Sequence, residues 1–167
     1  MQLLEANERL NRELLWSIPY DGLRFWTRWW LDAQRELMRL RRYTQSQVLQ
    51  IMSKEVREEI EKLRNLALNR KDKAEQQIIR IVRELPEWTE WGKGVVGLGE
   101  FSLGKLLGLI GNPAAREYVS CLWRHCGLAP TKDGKLEKPT KGQHRPYNAL
   151  AKSQLVSIPL WCDCDSV

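Results

Sequence analysis

The sequence predicts an all-α protein, with a helical hairpin or coiled coil followed by a compact helix-hairpin-helix domain. Three observations support this fold class. Apolar residues recur at spacings of three and four through residues 23–85, which is the period of one helix face. Nothing in that half alternates polar and apolar residues as a strand does. Seven glycines then fall within residues 92–111, which marks a change in organisation.

The first two predicted helices are separated by turn chemistry. Residues 1–16 place Leu3, Leu10 and Leu14 on one side of a helix. Residues 18–22 follow with a proline and an Asp-Gly pair, which are typical of turns. The next helix carries a heptad-like apolar stripe, formed by Leu23, Trp26, Trp30, Ala33, Leu37 and Leu40.

A further helix is predicted to begin at an N-cap, Thr44. Its apolar stripe comprises Val48, Met52, Val56, Ile60, Leu63 and Ala67. Residues 69–73 are interpreted as a turn or frayed join, and another helix follows, ended by Pro86. These helices pack within one chain or between two. We therefore divide the chain into a helical region (1–86), a helix-hairpin-helix domain (87–158) and a tail (159–167).

Composition and charge favour a polyanionic partner. The chain has 167 residues, 43% of them hydrophobic, and a formal net charge of +6. Residues 120–152 hold seven basic and two acidic residues, a local excess of +5. Such a local excess is better evidence for a nucleic-acid site than overall charge.

The sequence also predicts where the protein resides. No run approaches the roughly 18 apolar residues of a membrane span. The first residues lack the basic-then-apolar pattern of a signal peptide. We therefore expect a cytoplasmic protein, no membrane partner and reduced cysteines.

The glycine-rich stretch from Val95 to Leu107 is the strongest functional signal. Gly97-Leu98-Gly99 predicts a hairpin whose glycines adopt positive φ and approach a ligand closely. The following helix begins there, so its free N–H groups and dipole suit a phosphate. Leu98 is expected to anchor the hairpin on the helices, and Lys93 and Lys105 to flank the phosphate. A dinucleotide-binding fingerprint is excluded because no strand precedes the glycines, and a tight helix–helix turn without a ligand is the alternative.

The order of these motifs resembles the C-terminal domain of DEDD-type insertion-sequence transposases, the bridge-RNA-guided recombinases. The resemblance covers roughly residues 87–158. It rests on Gly97-Leu98-Gly99 through Leu106-Leu107, on residues 109–113 and on Cys126-Gly127-Leu128-Ala129-Pro130. The resemblance implies a helix-hairpin-helix that binds nucleic acid, in a protein of a mobile element.

Two departures from that family predict that this chain is not an enzyme. The family carries an N-terminal RuvC-like sheet with acidic metal ligands, where this chain has helices. The family also places a catalytic serine in the loop after Gly-Leu-x-Pro, whereas residues 131–142 contain none. Thr131 and Thr140 remain as hydroxyls, without a neighbouring base that would activate them. We expect no catalytic residues and a divergent, transposase-like binding protein.

The loop downstream of the hairpin supplies positive charge. Its lysines recur every three residues and are expected to follow a phosphate backbone; they are Lys132, Lys135, Lys138 and Lys141. Arg145 and Tyr147 add a cation and an aromatic ring for backbone contact and base stacking. Asn148 is expected to cap a final helix over residues 149–157. The alternative is a solvated loop, and DNA and RNA satisfy these features equally.

Cysteine and histidine spacing predicts neither a metal nor a cofactor. Cys121, Cys126 and His125 lie on or beside one helix, and Cys162 and Cys164 lie in the tail. These spacings are not those of zinc ribbons or fingers. Cys121 and Cys126 are therefore interpreted as small apolar residues.

Three functions remain open from the sequence. The first is non-catalytic DNA or RNA binding, with the N-terminal helices joining a second copy or another protein. The second is a helical scaffold or inhibitor in which the hairpin only packs, suggested by the helix faces and by Trp26, Trp29 and Trp30. The third is a degenerate recombinase that acts within a larger assembly.

Overall fold

The computed structural model describes residues 2–45, 53–131, 134–136, 142 and 147–157, with only the backbone described for 2–17 and 45. Its α-helices are α1 (Gln2–Gln45), α2 (Lys54–Arg83), α3 (Glu100–Ile110), α4 (Val119–His125) and α5 (Ala149–Ser157). A π-helical turn (Glu87–Trp91) and two short 3₁₀ turns (Gly92–Gly94 and Pro113–Ala115) connect them. Within the described ranges no strand occurs, apart from an isolated bridge between Pro130 and Leu136. The all-α prediction is confirmed.

The break predicted at residues 18–22 is wrong, because α1 continues through Pro19. Tyr20 and Leu23 lie within the first helical turn after that proline and are almost completely buried. Their burial offsets the hydrogen bond that proline removes. At Gly22, an added Cβ would lie 3.4 Å from Ile81 Cδ1 on α2. The Asp-Gly pair therefore lies where α1 packs against α2 rather than at a turn.

The next two predicted boundaries are also corrected. Thr44 lies within α1, where its hydroxyl donates to the Arg41 carbonyl, and α2 begins after Ser53. Residues 69–73 form no turn, because α2 runs on to Arg83. Ala67 and Ala74, on either side of that stretch, are fully buried. Of the predicted stripe, Val48 and Met52 lie outside the described residues.

Helix α3 packs across the hairpin formed by α1 and α2. Two of its glycines allow the close contact. A Cβ at Gly104 would overlap Ile78 and lie 2.7 Å from Val82 Cγ2 on α2. A Cβ at Gly108 would overlap the Thr27 hydroxyl and lie 2.8 Å from the Leu23 carbonyl oxygen on α1. Small residues at both crossings set the distance of α3 from the hairpin.

One hydrophobic core joins the described parts of the two segments on either side of Pro86. Leu23, Ile78 and Val82 from the helical hairpin pack in the same cluster as Leu103 and Leu107 from α3. Cys126 and Ala151 attach the ends of α4 and α5 to that cluster. That the chain divides into two folding units near Pro86 stays a prediction. No helix in the described ranges combines the length and apolar character needed to cross a membrane.

Candidate nucleic-acid interface

The predicted glycine hairpin is a tight turn that leads into α3. The Leu98 amide donates to the Val95 carbonyl at 3.2 Å, and Gly97 has φ of 82°. Leu98 is only 7% exposed and belongs to the core, where we expected it to anchor the hairpin. Gly99, however, has φ of −88°, so the expectation of a positive φ there is wrong. Gly97 alone holds the conformation that side chains resist.

The N-terminus of α3 opens beside that turn. Its first helical hydrogen bond runs from the Leu103 amide to the Gly99 carbonyl at 3.0 Å. Three amides precede this bond, and Gly99 has no side chain to cap them. A Cβ added at Gly99 would meet nothing within 4 Å. The first turn of α3 can therefore be approached from solvent.

An ion pair lies next to these amides. The Arg83 guanidinium donates to both carboxylate oxygens of Glu100, at 2.9 and 3.0 Å. This contact raises the pKa of Arg83, through the hydrogen bond and then through the opposite charge. Glu100 also stands in the first turn of α3, where a carboxylate complements the helix dipole. An incoming phosphate would meet an acidic side chain whose charge is already paired.

The two predicted flanking lysines lie in different surroundings. Lys93 is exposed in the turn before the hairpin. Lys105 is half-buried, with its ammonium 4.8 Å from the Trp30 ring centroid and 4.6 Å from that of Phe101. Burial lowers the pKa of Lys105, Glu75 opposes this effect, and Lys71 adds to it. The structure thus leaves Lys93 open to solvent and holds Lys105 against two aromatic rings.

Only part of the lysine-rich loop lies in the described residues. Lys132, Lys138, Lys141 and Arg145 lie outside them, whereas Lys135 is exposed. Its carbonyl accepts hydrogen bonds from both the amide and the hydroxyl of Thr131, at 2.8 and 2.9 Å. Gly134, with φ of 72°, completes this turn. The Thr131 hydroxyl is therefore engaged with the backbone.

Tyr147 and Asn148 join the ends of α3, α4 and α5. A Cβ at Gly127 would lie 2.7 Å from the Tyr147 ring, and the Lys152 ammonium lies 4.9 Å from its centroid. Asn148 Oδ1 accepts from the amides of Leu150 and Ala151, which confirms the predicted cap. Its Nδ2 donates to the Leu109 carbonyl at 3.2 Å. Tyr147, which was predicted to stack on a base, is thus half-buried at a junction of helices.

The cysteines differ in exposure, contrary to their shared interpretation as small apolar residues. Cys126 is buried, which raises the pKa of its thiol, but Cys121 is exposed. Cys162 and Cys164 lie outside the described residues. Within the described part of the chain, no three histidine, cysteine or acidic side chains group as metal ligands. The His125 carbonyl accepts a hydrogen bond from the Asn148 amide, so the backbone of His125 links the end of α4 to the residue before α5.

A basic face on α1 was missed by the sequence reasoning, which concentrated on the basic loop. The first 86 residues hold seventeen basic and thirteen acidic side chains, an excess of +4. Five exposed arginines of α1 recur at spacings of four, seven, four and three, a helical period that the sequence already displays. They are Arg24, Arg28, Arg35, Arg39 and Arg42, which we call the arginine stripe.

Comparison with known proteins does not assign the chain to a family. No family model, curated protein or solved structure matches it.

Proposed function

We propose that this chain is a non-catalytic nucleic-acid-binding protein, related to insertion-sequence transposases, that contacts the phosphate backbone with its glycine hairpin and lysine-rich loop. The junction of hairpin and α3 carries the proposal. There Leu98 anchors a tight turn in the core, while Gly99 leaves the first amides of α3 uncovered. Backbone amides at a helix N-terminus favour phosphate oxygens over other ligands.

The surrounding charges support a backbone contact over base recognition. Lys93 is exposed just before the hairpin, and Lys135 is exposed in the basic loop. Amides and lysines carry no base-specific pattern, so the interaction is expected to show little sequence preference. Lack of catalysis is part of the proposal. It rests on the missing loop serine and on helices where the resembling family has its acidic sheet.

The test is a pair of glycine substitutions in the hairpin region. Gly99→Val places a side chain over the α3 amides without straining the backbone, so it should fold normally and bind labelled DNA and RNA oligonucleotides more weakly. Gly94→Ala is the matched control, because its Cβ also meets nothing within 4 Å. Gly97→Val serves as the strained variant, which is expected to lose about 1–3 kcal/mol of unfolding free energy.

Salt dependence separates the contributions of hairpin and loop. Replacing Lys132, Lys135, Lys138 and Lys141 together by alanine should weaken binding on all sequences. The salt slope should also fall, by about one for each phosphate that the variant no longer binds. Unchanged affinity and slope would make this loop a solvated surface. Normal binding by folded Gly99→Val would make the hairpin a packing element only.

A second function, a protein-interaction scaffold, is favoured by exposed apolar residues on α1 and α2. Part of the apolar stripe predicted to be buried on α2 is exposed: Val56 is 44% exposed and Leu63 is 40% exposed. Leu66 and Met38 nearby are exposed further, at 59% and 56%. If both binding experiments fail, these residues identify the surface through which a second copy or another protein would bind.

A further inference from the structure

The arginine stripe forms a straight basic surface on the outer side of α1. At 100° per residue its five members fall within about 60° of one another, and they span about 27 Å along the helix. Two aspartates, Asp21 and Asp32, share that face. Five arginines against two aspartates leave a net charge of +3.

Most of this charge is not paired within the part of the chain that the structure describes. Arg35 donates to Asp32 at 2.8 Å, with both side chains about 60% exposed, and such surface pairs contribute little stability. Among the described residues, the other four arginines of the stripe have no ion pair within 4.0 Å. An external anion can therefore replace the water around these arginines, or the weakly bound Asp32 carboxylate beside Arg35.

An exposed aromatic ring lies beside the stripe. Phe25 is 54% exposed and makes edge-to-face contacts with Trp26 and Trp29, at 5.0 and 5.3 Å between centroids. The two tryptophans stack on each other at 5.2 Å. The Arg70 guanidinium lies 5.9 Å from the Trp29 ring. Phe25 is thus held in place by its neighbours while much of its surface is open.

Arginines and aromatic rings line the same groove. It has a volume of about 460 Å³ and is lined by three arginines, two aromatic rings and two carboxylates, which are Arg24, Arg28, Arg70, Phe25, Trp29, Asp21 and Asp32. This volume falls within the range of small-ligand sites. A ligand in the groove would meet guanidinium groups, which outnumber the carboxylates by three to two, and an aromatic surface at once.

We propose that the arginine stripe and Phe25 bind a single-stranded nucleic acid. The guanidinium groups hold successive phosphates, and an unpaired base stacks on Phe25, as on other surfaces that combine cations with aromatic rings. A single strand is favoured because a base within a duplex cannot reach the ring. The inference shares its ligand class with the proposed function but uses a different surface, so either can fail alone.

The experiment measures the anisotropy of a labelled oligo-dT of about 12 nucleotides over a range of salt concentrations. Arg28→Ala combined with Arg39→Ala should weaken binding and lower the salt slope by about 1.4, because each phosphate bound on a single strand contributes about 0.7. The matched control is Lys73→Ala with Arg80→Ala, which removes the same charge from exposed positions on α2. Equal losses in both double variants would overturn the proposal.

Substitution of Phe25 tests the stacking component. Phe25→Leu retains an apolar side chain without the ring, and should weaken binding of the single strand about five-fold or more with an unchanged salt slope. Binding of a labelled duplex of the same length, which the hairpin can also contact, should be insensitive to this change. An equal loss of duplex affinity on Phe25→Leu, or a Phe25→Leu variant that binds oligo-dT normally, would refute a single-strand site.

Comparison with Gly99→Val distinguishes the two sites. If Gly99→Val weakens binding and the arginine double variant does not, the hairpin remains the site and the stripe is only a solvated surface. The opposite result removes the hairpin and leaves the stripe. Thermal melting of each variant checks folding. All substituted side chains are exposed, so melting temperatures should stay close to that of the wild type.

Discussion

The two long helices of the hairpin are both rich in charge, yet they present it differently to solvent. On α2, cations and carboxylates alternate at spacings of three and four, as in Lys54–Glu58, Lys62–Glu59 and Arg64–Glu61. On the outer side of α1, arginines recur along one face, with Asp32 as the carboxylate that pairs with one of them. The proposed polyanion surface therefore rests on the order of the signs along the helix and not on charge content alone.

The helices also differ in how α3 contacts them, and this difference predicts the largest stability effect. Gly108→Ala should lower the unfolding free energy by about 2–3 kcal/mol, because the new methyl group meets the Leu23 carbonyl and Thr27 on α1. Gly104→Ala should cost about 1–2 kcal/mol, because the methyl groups of Ile78 and Val82 on α2 can shift more easily than backbone. Urea denaturation measures both.

The control for these two variants is a third glycine, on α1 itself. A Cβ at Gly22 makes an ordinary contact of 3.4 Å with Ile81. Gly22→Ala should therefore stabilise the protein by about 0.5–1 kcal/mol, the advantage of alanine over glycine within a helix. If all three variants change stability alike, the close crossings of α3 do not decide these energies.

A comparable effect is expected from the hydrogen bond that ties α1 to the segment after α2. The Tyr20 hydroxyl, which is nearly buried, donates to the Glu87 carboxylate. Tyr20→Phe removes the donor and leaves a partly buried carboxylate without it, which should cost about 1–3 kcal/mol. Urea denaturation at neutral pH gives this value, and an unchanged midpoint would mean that water replaces the hydroxyl.

The same tyrosine makes the stability of the protein depend on pH in the alkaline range. Burial, the hydrogen bond to Glu87 and its negative charge all raise the pKa of Tyr20. The folded state therefore keeps a proton that the unfolded chain loses near pH 10. The stability contribution is fully present below about pH 10 and falls as pH rises beyond it, by up to about 1.4 kcal/mol per pH unit. The difference in stability between wild type and Tyr20→Phe should narrow over that range.

The sequence predicted the existence and character of the helices better than their boundaries. The period of apolar residues located α1 and α2, because burial on one face requires it. Pro19 and the polar residues 69–73 suggested breaks, which local turn chemistry alone would favour. Burial of their neighbours outweighed that preference. Around Pro19 this burial involves α3, which is distant in sequence, because Tyr20 and Leu23 share a core with Leu103 and Leu107.

At the candidate site, the sequence identified the hairpin but not its details. Leu98 was predicted to be its anchor, and its burial in the core agrees with that role. That Gly97 and not Gly99 carries the positive φ depends on how the turn meets α3. The contact of Lys105 with Trp30 joins residues 75 positions apart in the chain, and no local pattern indicates it.

A set of weak surface ion pairs tests whether charge order distinguishes the two helices. Replacing Glu58, Glu59 and Glu61 by glutamine removes the carboxylates that pair with Lys54, Lys62 and Arg64. Each exposed pair contributes about 0.3–0.5 kcal/mol, so the triple variant should lose no more than about 1.5 kcal/mol by urea denaturation. Its α2 would then display unpaired cations, as α1 does. Affinity for oligo-dT should rise and its salt dependence should steepen. If affinity does not change, unpaired cations on a helix are insufficient for binding, and charge order alone does not explain the binding proposed for the arginine stripe.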